Sequence, residues 1–191
     1  MQNDFVGAVS SGNEQAVEEL LLQGADPDLP ENPTPLWLAA IGKHAAIVKI
    51  LLKTRRVNVE AENKSNHGER AIHEPCIWGG RDEIQIVEAL LDAHANIEGT
   101  TIGAWTPLHQ AARFHGSEEL MRFLIQRGAD VEAVIGRCLS TPLHLAAEVG
   151  NIGKIKVLLK AGARPDIEDV DGRTPKVRAE ENNHAEAANL L

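Results

Sequence analysis

Three histidines raise the first question of chemistry. His73, His109 and His144 recur 36 and 35 residues apart, so they can stand in a row on successive copies of one element. Zinc takes imidazole nitrogens at about 2.0–2.1 Å, whereas packed helices lie about 8–10 Å apart. One ion could draw on two neighbours only through strained, converging side chains, and three in a line cannot meet at one metal. A second constellation is Glu74, His115 and Arg113, a candidate acid, base and anion-holding group close to Trp78. Against an enzyme, the chain has no Gly-x-Ser-x-Gly elbow and no glycine-rich phosphate cradle. Cys76 and Cys138 have no spacing that reads as a metal site or a disulfide framework. We therefore expect no catalytic group, no metal and no cofactor.

The elements that carry these residues are written in one recurring word. Thr141-Pro142-Leu143-His144-Leu145-Ala146-Ala147 announces a helix start. Its threonine can cap an orphan backbone N–H, and proline at the first helical position loses nothing by lacking one. The word returns at Thr106–Ala112, at Thr34–Ala40 with Trp37 in place of histidine, in degraded form at Arg70–Cys76, and at Thr174–Glu180. The intervals are 36, 36, 35 and 33 residues.

A period near 33 with this word is the ankyrin pattern, and the chain resembles the ankyrin-repeat family over nearly all its length. The resemblance implies an all-α fold with short β-hairpin turns, a solenoid of about six helix-turn-helix units. Their expected spans are an N-terminal capping repeat over 1–33, repeats over 34–69, 70–105, 106–140 and 141–173, and an incomplete capping repeat over 174–191. It also implies that the repeated histidine makes structural hydrogen bonds, tying each helix start to the neighbouring hairpin. Departures concentrate in the 70–105 unit. Arg70 replaces the capping threonine, Pro75 should shorten the first helix, and the turn Gly79–Glu83 is lengthened. Arg55 and His94 stand where glycine usually ends the second helix.

Hydrophobic content is 43 % and aromatic content only 3 %, with no tyrosine, so a Leu/Ile/Val/Ala core is expected. The net charge of −9 argues against a general nucleic-acid binder. No basic leader followed by an apolar run is visible, and no apolar stretch approaches ~18 residues. Cytoplasm or nucleus is the expected location, the chain is expected to be a monomer, and no membrane contact is expected. One local excess stands out. Residues 34–57 carry Lys43, Lys49, Lys53, Arg55 and Arg56 with no carboxylate. Cations in a last helical turn offset the helix dipole, and that reading is favoured over a docking patch for an acidic partner.

In this family the hairpin tips and the exposed side of each first helix form a concave groove. Carried over, that geometry selects Ile41, Glu74, Ile77, Trp78, Trp105, Arg113, Phe114, Glu148 and Val149 as partner-binding residues. Aromatics and arginine are the usual hot-spot types. The leading expectation is thus a non-catalytic interaction module that binds a protein or peptide segment in its groove. The alternative is a small-molecule binder, or an unusual enzyme, whose pocket closes over the irregular 70–140 region around Glu74, Arg113 and His115. A third reading is a purely structural spacer within a longer chain, and against groove binding stands a fold in which the lengthened turns cover the aromatics as local core.

Overall fold

Threonine followed by proline starts four of the helices. The hydroxyls of Thr34, Thr106, Thr141 and Thr174 accept hydrogen bonds from the backbone N–H groups of Trp37, His109, His144 and Val177. A computed structural model describes residues 1–29, 33–79 and 82–191. Residues 30–32 of the first unit, and Gly80 and Arg81 of the lengthened turn, lie outside the described residues.

In chain order the helices are α1 (Gln2–Ser11), α2 (Glu14–Leu22), α3 (Pro35–Ile41), α4 (Ala45–Lys53), α5 (Glu74–Ile77) and α6 (Glu83–Asp92). They continue as α7 (Pro107–Arg113), α8 (Glu118–Gln126), α9 (Pro142–Glu148), α10 (Ile152–Lys160), α11 (Pro175–Glu181) and α12 (Ala185–Ala188). The chain forms two bodies, one from residues 1–75 and 80–99 and the other from 76–79 and 100–191.

In the first body α1 packs on α2 and α3, α4 on α2 and α3, and α6 on α4. Phe5, Val9, Val17, Leu36, Ile47, Val48, Leu51, Ile86, Val87 and Leu90 are buried there. In the second body α7 packs on α8 and α9, α9 on α10 and α11, and α10 on α8 and α12. Leu108, Leu120, Met121, Leu124, Leu143, Ile155 and Leu158 fill its interior. The paired alanines Ala111-Ala112 and Ala146-Ala147 are buried as well. Their small side chains let α7 and α9 approach closely, which is how a chain so poor in aromatics still closes its core.

The degraded word at Arg70 does not start a helix. Residues 71–73 form a turn, and α5 is a single turn of four residues that contains Pro75, against seven in α3, α7, α9 and α11. Arg70 has another task, pairing with Glu60 at 3.1 Å and Glu62 at 2.7 Å. The expected hairpins are reduced to their tips. Among the described residues there is no strand, only isolated antiparallel bridges between Asn63 and Glu69 and between Ile135 and Ser140.

Candidate functional site

The three histidines are spent on the scaffold. In each ring Nδ1 accepts a backbone N–H from the residue three positions earlier, Arg70 at 3.0 Å, Thr106 at 3.3 Å and Thr141 at 3.1 Å. Nε2–H then donates to a carbonyl of the following loop: Gly99 at 2.8 Å, Ser140 at 3.2 Å and Arg173 at 3.0 Å. A neutral imidazole has one donor and one acceptor, so both nitrogens are engaged in that tautomer. Burial lowers the pKa of all three, to about 4 for His109, against the raising effect of the carbonyl bonds. Trp37 occupies the same position in its unit, is buried, and its indole N–H has no hydrogen-bond partner among the described residues. Among those residues, the histidine's tie to the next loop has no counterpart at that unit. Nothing in the structure explains the substitution.

The second body gathers most of the residues selected for binding. Trp105 lies just before α7 and Phe114 just after it, and their rings stack with centroids 5.9 Å apart and 28° between planes. The other flank of Trp105 meets His109 edge-on at 6.4 Å. Trp105 is half-buried, so part of it does belong to the local packing. Phe114 remains 43 % exposed and Trp78 46 %, which is too much open apolar surface for core residues. Ile77 and Val149 are half-buried. The Ile77 carbonyl accepts the His115 N–H at 3.0 Å, which ties the segment carrying Trp78 to the end of α7.

Arg113 and Glu148 are joined to each other, at 3.2 Å, across α7 and α9. The second carboxylate oxygen of Glu148 receives Arg178 from α11 at 2.7 Å. Arg178 also reaches Asp169 at 2.6 Å and the Ser140 hydroxyl at 2.8 Å. Burial alone would raise the Asp169 carboxyl. The backbone N–H of Arg173, the Arg178 side chain and the backbone N–H of Asp171 outweigh it and hold the pKa to about 2. This rail of alternating charge crosses three first helices. The sequence reading singled out Arg113, Glu148 and Ser140 but not Arg178 or Asp169. Arg178 stands where α9 has Leu145 in the repeated word, and that mismatch was the available signal.

The loop tips were also missed as apolar ground. Ile102, Val134, Leu139 and Val170 are all exposed, on successive loops of the second body. These tips touch: the Val170 N–H donates to the Cys138 carbonyl at 3.0 Å, and a side-chain carbon on Gly136 would lie 3.4 Å from Ala104 Cβ. Leu139 holds φ 51°, a left-handed conformation that costs a leucine about 1 kcal/mol or more.

Two selected residues belong to the first body. Ile41 ends α3 and is exposed. Glu74 corrects the expectation of a solvent-facing residue: it is buried, and Asn66 donates to its carboxylate at 3.2 Å. The single-turn α5 follows an irregular turn, and Glu74 faces the Asn63–Glu69 loop instead of a groove. Glu74 therefore supports that loop. The two described cavities are elsewhere, about 820 Å³ between α4 and α6 and about 580 Å³ between α8 and α10. Neither is lined by Glu74, Trp78, Arg113 or His115.

Helix pairs started by a Thr-Pro word, and tied to the following loop by its histidine, define an ankyrin-repeat protein. The family models for "Ankyrin repeats (3 copies)" and "Ankyrin repeats (many copies)" match residues 5–101 and 108–159, and the chain belongs to this family. It is similar to human transient receptor potential cation channel subfamily A member 1, 32 % identical over 83 % of this chain and 14 % of that protein. A second relative is ankyrin repeat and KH domain-containing protein mask-1 of Caenorhabditis elegans, 27 % identical over 96 % of this chain and 8 % of that protein. A third is rat cyclin-dependent kinase 4 inhibitor B, 32 % identical over 58 % of this chain and 84 % of that protein. The chain thus spans only a small part of the first two relatives. Ankyrin repeats are generally protein–protein interaction modules, and the family is typically non-catalytic. No described helix is long and apolar enough to cross a membrane.

Proposed function

We propose that this chain is a non-catalytic docking module, and that its second body seats a segment of a partner protein. The observation that carries the reading is the open stack of Trp105 on Phe114, with Trp78 exposed on the segment bound to the end of α7. These rings supply the apolar anchors. Beside them the Arg113–Glu148 pair offers one donor face and one acceptor face to orient a backbone, with Val149 and Ile77 as flanking apolar surface. The tip residues Ile102, Val134, Leu139 and Val170 extend the site. A rigid preformed surface loses little entropy on binding. The six-unit division, a monomeric state and a cytoplasmic or nuclear setting belong to the same proposal, as does the absence of nucleic-acid or membrane partners.

Fully burying one such aromatic contributes about 1.5–3 kcal/mol. The triple variant Trp78→Ala/Trp105→Ala/Phe114→Ala therefore weakens partner retention by at least about a hundredfold. The check is affinity capture from native extract beside wild type, with circular dichroism showing both folded. A protein kept by both chains equally would sink the proposal.

Leu139→Gly separates binding from stability. Relief of the left-handed strain offsets the greater freedom glycine has in the unfolded chain, so urea denaturation shifts by less than about 1 kcal/mol. Retention of the same partner falls nonetheless, because the apolar tip is gone.

A further inference from the structure

Three of the five cations of residues 34–57 line a cleft of the first body that shares no residue with the docking surface above. Lys49, Lys53 and Arg55 line the cavity of about 820 Å³ between α4 and α6, together with His94. Its walls and floor are completed by Leu52, Val57, Val59, Ala89 and Ala93, and among the described lining residues Asp92 is the one carboxylate. Lys49 reaches the Gln85 amide oxygen at 3.4 Å. Lys53 and Arg55 make no ion pair or side-chain hydrogen bond among the described residues. Three cationic side chains thus surround an apolar floor with two of them uncommitted.

A second observation points the same way. Where α2, α8 and α10 end, the chain turns through Gly24, Gly128 and Gly162 at φ 94°, 100° and 94°. After α4 and α6 the same left-handed turn is made by Arg55 at φ 54° and His94 at φ 68°. Glycine takes this conformation without the steric clash that other residues suffer. Both strained side chains line the one cleft. Dipole offset accounts for Lys53, in the last turn of α4, but does not call for a strained arginine beyond the helix end. The groove between α8 and α10 is also lined by three cations, Arg122, Lys156 and Lys160, against one carboxylate, but there Glu118 holds Arg122 at 2.6 Å and glycine, not a strained side chain, follows both helices.

We propose that this cleft is a second protein-binding site, which takes an acidic peptide segment carrying at least one bulky apolar side chain. The carboxylates of the segment meet Lys49, Lys53 and Arg55, and the apolar side chain rests on Leu52, Val57 and Val59. The recessed apolar floor is what favours a peptide over a lipid headgroup, which would use the charges and leave the floor wet.

The test is selection of a random-peptide display library on the wild-type chain, with depletion on Lys53→Gln/Arg55→Gln. Selected peptides are then synthesised and titrated by fluorescence anisotropy. The expected result is enrichment of sequences pairing Asp or Glu with Leu, Ile or Phe. Their affinity falls at least about tenfold in the double variant and weakens with added salt. It is unchanged in Trp78→Ala/Trp105→Ala/Phe114→Ala, so failure here and failure of the docking surface are distinguishable. Arg55→Gly melts no lower than wild type and still loses affinity, which excludes misfolding as the cause. Enriched peptides without carboxylates overturn the proposal, as does binding that survives the double variant. So does retention of phosphatidylserine vesicles through Lys53 and Arg55 where no acidic peptide is selected.

Discussion

Replacing Lys154 with methionine lowers the unfolding free energy by about 2–4 kcal/mol. Lys154 stands in the first turn of α10 and is 3 % exposed, an unusual place for an ammonium group. Its Nζ donates to the carbonyls of Ala111 at 2.7 Å, Ala112 at 3.4 Å and Phe114. Those carbonyls lie at and just past the C-terminal end of α7, where the helix itself leaves them without partners and the dipole is negative. An ammonium has three donors, so one side chain from the following unit serves all three oxygens. Methionine matches its length and packs without a large cavity. It also removes the desolvation cost of the charge, which keeps the loss below the sum of three bonds. What remains is a buried helix end with dry carbonyls. For a chain of this size the melting midpoint should fall by about 5–15 °C. Because stability in a repeat stack is a sum over neighbours, amide exchange should accelerate first in α7 and α10. An unchanged urea midpoint would mean that the ammonium's hydration cost cancels its bonds.

Acidification from pH 7 to pH 4.5 removes about 2–3 kcal/mol through His109 alone. The ring is buried and neutral, with its pKa lowered from 6.5 to about 4. The unfolded chain therefore takes up its proton first as pH falls below 6.5. The stabilisation is complete above that value and is lost progressively down to about pH 4. His73 and His144 are shifted in the same direction by the same burial, so their losses add in that window. Asp169 behaves oppositely in origin but not in consequence. Its carboxyl is held from 3.8 down to about 2, so its stabilisation persists to about pH 4 and disappears below. Urea denaturation across pH 4–7 measures the slope. His109→Gln should flatten it by about one proton's worth while lowering stability at pH 7. A slope the same in the variant would show that His109 does not carry the dependence.

Much of the fold was legible in the chain because repeat architecture writes local rules many times. Thr141-Pro142 tells of a capped helix start on its own, and four copies in phase tell of stacked units. The shortening of α5 was equally local, since proline at position 75 limits that helix. The candidate site was legible only in part. Trp78 and Phe114 were placed on an open face by their position in the repeat, as the structure has them. Glu74 was placed there by the same reasoning and is buried instead, because Arg70 does not cap a helix and the register of the word fails at that unit.

The sequence by itself determined the helix starts that carry a Thr-Pro word, the repeat period, the structural use of the repeated histidine and the family. Each of these depends on residues within one turn of helix or on recurrence of one word. Only the tertiary structure decided how charges pair across units. Lys154 finds the end of α7 from a distance of some forty residues. Arg178 gathers Ser140, Glu148 and Asp169 from two neighbouring segments, and Arg55 and His94 meet at one cleft. A lysine or arginine reaches several ångströms in any direction, so its partner depends on how far one helix has shifted against the next. That shift is set by packing of the alanine faces and by the inserted turn residues, which no local pattern encodes.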